Sequence, residues 1–286
     1  MKRSDSEFQM CRAHLPTVLN THNSMELIFN HRFGRMEQQD LVVCDLLALP
    51  DPNEQDETDM LETGWLAHDR PHSIHGKNRE VFYQSRSTRI DLDRVKRKFE
   101  AHTHKGQAVQ MKEIFPRRRE DTVWTGMHQM YHQYIQRKGF RDLYNPFEHI
   151  NKRDSFLVFY IEDLGQLIGF TKIKRYHWHE HFYDDAMMAP EWLEHKQPHS
   201  IESVMHCNVL TIGKLTMDME LEWARAQEAS YYYAGAGYER SSIYKSDWRG
   251  FEWWTGTRWS RSKREYKRLC ERDSELKSIS DLSDAK

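Results

Sequence analysis

The stretch that most constrains the fold runs from Ser155 to Gly235. Ser155 to Ile161 (SFLVFYI) and Leu167 to Ile173 (LIGFTKI) are short apolar runs of strand composition, and the polar turn Glu162 to Gln166 (EDLGQ) separates them. A turn that short, with Gly165 in it, predicts an antiparallel hairpin. Ile201 to Leu210 (IESVMHCNVL) predicts a third strand. After the loop at Gly213, Lys214 to Ala229 reads as a helix, with Leu215, Met219, Leu221, Ala224 and Ala226 near one side. Ser230 to Gly235 (SYYYAG) predicts a fourth strand. A strand that returns through a helix lies parallel to the one before it. Upstream, Asp121 or Thr122 can cap a helix reaching about Lys138. Its apolar positions Val123, Met127, Met130, Tyr131 and Tyr134 fall on one face, and Gly139 ends it. The expected class is α+β, a mixed central sheet flanked by helices.

The flanking segments are less periodic. Met25 to Phe33 and Leu41 to Leu49 are apolar enough for strands or short helices. Pro50 to Asp59 is acidic and Pro-containing and reads as a loop, as does His68 to Asn78. Val81 to Leu92 starts as an extended run, and Asp93 to Glu100 reads as a short charged helix. The tail after Trp259 is charged and helical in character, with a loose polar end from Ser278. Two regions are expected: 1–115, a smaller N-terminal α/β region, and 116–286, the catalytic one. Hairpin followed by strand, helix and strand is the element order of the GNAT acyltransferase fold, so 116–286 is expected to be GNAT-like, and 1–115 could be a degenerate half of the same kind.

With 286 residues the chain is long enough for one large domain or two modest ones. The 42 Lys and Arg balance 44 Asp and Glu, so any nucleic-acid contact must come from a local patch rather than from the field of the whole protein. Cys11, Cys44, Cys207 and Cys270 form no CxxC motif, and no apolar run reaches the roughly 18 residues of a membrane span. A reduced, cytoplasmic protein without an export signal is expected.

One run carries a resemblance to a known family. Tyr231-Tyr232-Tyr233-Ala234-Gly235-Ala236-Gly237-Tyr238, followed by Tyr244-Lys245 and by Trp248 and Phe251, resembles the C-terminal signature of the arginyl-tRNA–protein transferases and their bacterial leucyl-transferring relatives. Thr211-Ile212-Gly213 and Glu220-Leu221-Glu222-Trp223-Ala224 sit where that family has its loop and helix. Gly64-Trp65 and Ser85-Arg86-Ser87-Thr88-Arg89 are similar to its Gly-aromatic and Ser-Arg segments. The family's N-terminal cysteine cluster is missing here, and Gly250 to Trp259 has no counterpart in it. The resemblance implies aminoacyl transfer from a charged tRNA.

Candidate chemistry gathers around these runs. Glu202, on the third strand, stands where several GNAT enzymes place the base that an amine nucleophile needs, or else it is a solvated carboxylate. Tyr232 alternates with Tyr231 and Tyr233 across the strand, so one face lines a cleft and the other packs in the core. A phenol in the cleft could protonate a leaving group. Lys245 reads by itself as an exposed lysine, and the resemblance makes it a partner for a phosphate or an oxyanion. Arg86 and Arg89, with Ser85 beside them, offer guanidinium forks suited to phosphate or carboxylate. Tyr238 and Tyr244 join the substrate-binding candidates through the resemblance. Trp253 and Trp254 belong to an aromatic tail (Trp248, Phe251, Trp259) interleaved with Arg249, Arg258, Arg261, Lys263 and Arg264. That is either a surface on which bases stack or a lid over the core. His177, His179 and His181 alternate beside Glu180, but no second ligand pair follows at zinc spacing, so no metal is expected. The loop Thr211-Ile212-Gly213-Lys214 has one glycine, a weak cradle for the pyrophosphate of CoA.

The expected function is therefore an aminoacyltransferase moving an amino-acid group from an aminoacyl-tRNA-type donor to an acceptor amine, with no cofactor. The expected partners are a nucleic acid, tRNA or DNA, and no membrane. Three alternatives stand beside it: a phage-type amino acid:DNA transferase acting on hypermodified thymine, a CoA-dependent N-acetyltransferase, and a non-catalytic nucleic-acid-binding module on a degenerate GNAT core.

Overall fold

The computed structural model describes residues 26–28, 45–49, 54–67, 72–74, 77–95, 102–116, 121–138, 145–148, 150, 154–176, 200–208 and 212–275. In chain order the elements are β1 (Glu26–Ile28), β2 (Asp45–Leu49), α1 (Glu54–Glu62), β3 (Trp65–Ala67), β4 (His72–Ile74), β5 (Lys77–Gln84), β6 (Ser87–Asp91), β7 (Thr103–His104), β8 (Gln107–Ile114), α2 (Asp121–Lys138), β9 (Asp154–Ile161), β10 (Gln166–Tyr176), β11 (Ser200–Asn208), α3 (Gly213–Ala226), β12 (Tyr231–Ala236), a 3-10 segment (Arg240–Asp247), β13 (Phe251–Trp254), β14 (Trp259–Ser260) and α4 (Lys263–Asp273).

A nine-stranded mixed sheet forms the centre, in the order β14-β13-β6-β12-β11-β10-β9-β8-β7. The β9–β10 hairpin turns at Gly165, whose positive φ of 56° suits glycine. β10 pairs antiparallel with β11, and β11 pairs parallel with β12 through the α3 crossover. This is the GNAT-like arrangement, a mixed sheet flanked by helices. The sheet draws strands from both sides of residue 115. β6 lies between β12 and β13, and β8 extends the hairpin beside β9. A five-stranded antiparallel sheet, β1-β2-β5-β3 with β4 on β5, forms the smaller N-terminal part.

Alternation along the central strands sorts the core into two faces. Ile90, Ile173, Ile201 and Tyr232 pack with Leu221 and Ala224 of α3 and with Tyr266 and Cys270 of α4. On the opposite face, Phe156, Val158, Phe170 and Cys207 meet Met127, Met130 and Tyr131 of α2. Further along that face, Tyr176 and Tyr233 meet Leu61 of α1 and Leu66 of β3. Burial of these side chains at about 25 cal/mol per Å² is what holds the layers together.

The flanking segments correct the sequence reading in two places. The acidic run expected as a loop from Pro50 to Asp59 is largely α1, whose carboxylates suit a helix N-terminus. The expected loop from His68 to Asn78 contains β4 and the start of β5, which pair with each other. The predicted helix from Asp93 begins as a single 3-10 turn, Leu92–Arg94, and the rest of it lies outside the described residues. The histidines at 177, 179 and 181, Gly139 and the tail from Ser278 also lie outside them.

Candidate active site at a fork between two strands

The parallel pair at the centre of the sheet is short. Ser200, Ile201 and Glu202 of β11 face Tyr231, Tyr232 and Tyr233 of β12, and the strands then part. β11 runs on to Asn208 and β12 to Ala236. A bulge in β12 lies just past the split, where Gly235 has a φ of +69°. Thr88 donates to the Gly235 carbonyl at 2.8 Å. The carbonyls of Ala234 and Ala236, beyond the last paired residue, both accept from Lys245 Nζ, at 2.7 and 2.6 Å. An ammonium thus serves backbone groups that an unbroken strand pair would satisfy.

A buried carboxylate stands on each face at this fork. Glu202, 1% exposed, is on the N-terminal side. Tyr176 donates to its Oε2 at 2.5 Å, and Tyr83, reaching over from β5, donates to Oε1 at 3.3 Å. Burial, and then the Glu202 charge, holds the Tyr176 phenol well above its usual range. On the α3 side, Tyr232, also 1% exposed, donates to Oε2 of the buried Glu220. Thr171 of β10 donates to Glu220 Oε1 at 2.7 Å, and Ser203, the first β11 residue past the pairing, hydrogen-bonds to Tyr232. Burial pushes the Glu220 carboxyl up to about 7 against the pull of its two hydroxyl donors. Burial, and then Glu220, raises the Tyr232 phenol well above its usual range. Burial also raises Tyr244, again near Glu220, to about 12.

The other expected site residues spread from the fork into the structure around it. Arg86 forms an ion pair with the fully buried Asp273 of α4, donates to the Gly237 carbonyl at 3.3 Å and stacks on the Tyr238 ring. The Tyr238 hydroxyl accepts from the Arg86 backbone N–H at 2.9 Å. Arg89 pairs with Glu252 at 2.8 Å and lies between the Tyr231 and Trp259 rings, about 4 Å from each centroid. Ser85 is buried and its hydroxyl has no partner among the described residues. Tyr244 packs edge-on against Trp248. Trp253 is 3% exposed and donates to the Ser262 carbonyl, and Trp254 is 6% exposed. The Trp254 ring lies where a side chain on Gly64 would have to go, 2.4 Å from a Cβ placed there. Gly64 itself holds a φ of +79°. Both features require glycine there.

The sequence reading passed over Glu220, Tyr176, Tyr83 and Thr171. Glu220 left one signal, a carboxylate inside the buried stripe Met217, Leu221, Ala224 of α3. Tyr83 left none, because its strand belongs to the other sheet. Among the described residues no cluster of three His, Cys, Asp or Glu could hold a metal, and no helix is long and apolar enough to cross a membrane.

No protein-family model and no curated protein matches the chain. Among solved structures, it is similar to the C-terminal domain of an Agrobacterium fabrum protein described as a lysylphosphatidylglycerol synthetase. The identity is 8% and the TM-score 0.36, over 66% of this chain and 54% of that one. The chain thus spans about half the length of that structure. A likeness this partial carries no chemistry.

The expectation of a nucleic-acid partner and no membrane is corrected. The similar structure is named for a lipid, lysylphosphatidylglycerol, and not for a nucleic acid. Apart from the partly exposed Trp259, which packs on Arg89 and Trp254, the described aromatic tail also lacks the exposed rings that base stacking needs. Trp248, Phe251, Trp253 and Trp254 are all buried, so they form part of the core under α4 and the N-terminal region.

Proposed function

We propose that the chain is an aminoacyltransferase that moves an amino-acid group from an activated ester to an acceptor amine at the β11–β12 fork. One observation carries the reading. Two buried carboxylates, each accepting from a phenol, flank the end of the β11–β12 pairing, Glu202 of β11 on one face and Glu220 of α3, held by Tyr232 of β12, on the other.

Aminolysis of an ester needs a proton taken from the amine and one given to the leaving oxygen. The amine nitrogen attacks the ester carbonyl, the C–N bond forms and the C–O bond breaks. Glu202 takes the proton that the attacking nitrogen sheds. Tyr232 protonates the departing oxygen and is refilled from Glu220, whose carboxyl near 7 is half protonated at neutral pH. The aminoacyl reading is favoured over acetyl-CoA by the start of α3. It offers a single glycine, and the ammonium of Lys214 is paired with Asp247 at 2.5 Å. The Tyr231–Tyr238 strand and the Tyr244-Lys245 pair that resemble the aminoacyl-transferring family support the same choice.

The test is a transfer assay with carbon-labelled donors, an aminoacyl ester, an aminoacyl thioester and acetyl-CoA, and a set of primary-amine acceptors. Label moved from the aminoacyl donors and lost in Glu202→Gln is the expected result. Transfer from acetyl-CoA alone would replace the reading with acetyl transfer, and transfer from no donor would remove it.

A further inference from the structure

Outside the fork, an open cavity of about 570 Å³ is lined by Val95, Lys214, Asp218, Asp247, Trp248, Arg249 and Lys263. It lies among α3, the end of the 3-10 segment and the start of α4, and uses none of the residues at the fork. Its volume falls within the range of small-molecule sites.

The charges on its wall are unevenly matched. Of the two acids, Asp218 accepts from the Trp248 indole at 2.7 Å, and Asp247 lies 2.5 Å from Lys214 and 3.9 Å from Lys267. Of the three cations, Lys214 alone forms an ion pair with a carboxylate of the wall among the described residues, though Asp247 also attracts Lys263. Lys263 donates to a neutral group, the Trp248 carbonyl, at 2.7 Å. Arg249 is exposed on the turn after the 3-10 segment and makes no ion pair among the described residues. Partial burial pulls the Lys263 ammonium below its usual range, and Lys267 adds to the pull against Asp247. An anion placed between Arg249 and Lys263 would reverse that cost. Trp248, held by Asp218 through its indole and by Lys263 through its carbonyl, makes a fixed floor.

We propose that this cavity is an anion site for a small phosphate-bearing molecule, with Arg249 and Lys263 as its ligands. A tetrahedral phosphate offers acceptors to both, and the guanidinium fork takes two of its oxygens. The remaining volume leaves room for what the phosphate is attached to.

The proposal does not depend on transferase activity, and its test reads binding. The full chain is titrated at low ionic strength with inorganic phosphate, pyrophosphate and, as a charge control, acetate, by calorimetry and by thermal melting. Expected is saturable binding of pyrophosphate tighter than phosphate, with no saturable acetate signal. The double variant Arg249→Ala/Lys263→Ala should weaken pyrophosphate at least tenfold. Arg225→Ala, the loss of one positive charge at the exposed end of α3, should leave it unchanged. No saturation by pyrophosphate, equal weakening by Arg225→Ala, or undiminished binding in the double variant would each overturn the site. Circular dichroism of each variant separates a lost site from a lost fold.

Discussion

The two faces of the sheet at the fork solve the same problem in different ways. On the α3 side, Glu220 is held within one local unit. Its partners Tyr232 and Thr171 lie on strands that α3 covers, and burial pushes its carboxyl up to about 7. On the other side, Glu202 is held by two phenols, Tyr176 of the neighbouring strand β10 and Tyr83, which reaches across from β5 of the smaller sheet. A carboxyl near 7 can give up a proton at neutral pH. A carboxylate fixed by two donors is an oriented acceptor. The difference suggests a division of labour, in which Glu220 and Tyr232 supply protons and the Tyr83 contact ties Glu202 to the docking of the N-terminal sheet.

Substitutions at the two faces should therefore behave differently, and the largest effect belongs to Glu202. Glu202→Gln keeps the shape and the phenol contacts but cannot accept a proton. It should lower kcat/KM for transfer by about 10³-fold, within the span of general-base contributions. Its melting temperature should stay close to wild type.

Glu220 should show itself in the pH dependence of stability. Its folded carboxyl titrates near 7, above the ordinary value of 4.5, so the folded state holds an extra proton between those values. Stability from this group is full below about pH 4.5 and is lost as pH rises through about 7, amounting to about 3 kcal/mol over the window. Denaturant melts at pH 5 and pH 8 should show this slope in wild type. Glu220→Gln, which keeps partners for Thr171 and Tyr232, should remove it. An unchanged slope would place the titrating group elsewhere.

Lys245→Met tests the fork itself. It withdraws the ammonium from the Ala234 and Ala236 carbonyls and should cost about 2 kcal/mol, read as a lower midpoint in urea. The smallest effect should come from Tyr83→Phe, which removes the hydrogen bond that crosses from the smaller sheet. About 1 kcal/mol is at stake, so turnover should drop several-fold, with the alkaline or acid limb of the rate profile displaced. A loss of stability with no change in the profile would make Tyr83 a packing residue only.

Much of the central fold was legible in the sequence. The hairpin, the third and fourth strands and the helices now called α2, α3 and α4 were placed within a few residues, because each carries its own periodicity or turn. The insertion of β6 between β12 and β13 was not legible, since pairing between residues about 150 positions apart leaves no local pattern. For the same reason the single run Val81 to Leu92 hid a change of sheet at Ser85-Arg86. At the site, Glu202 was singled out by its place on the third strand, where GNAT enzymes carry a base, and strand alternation placed Tyr232 opposite Tyr231 and Tyr233. Their partners could not be found that way, because Glu220 reads as one polar residue on an amphipathic helix until the sheet beneath it is known. For the tail the sequence left a stacking surface and a lid over the core both open, because its composition is the same whether the rings face solvent or core.

The most direct test of the central claim is a crystal structure of the protein with a non-hydrolysable aminoacyl ester analogue. Density for the analogue's carbonyl between β11 and β12, within hydrogen-bonding reach of Glu202 or Tyr232, is the predicted result. An analogue bound away from the fork, with both carboxylates still enclosed as described here, would contradict it.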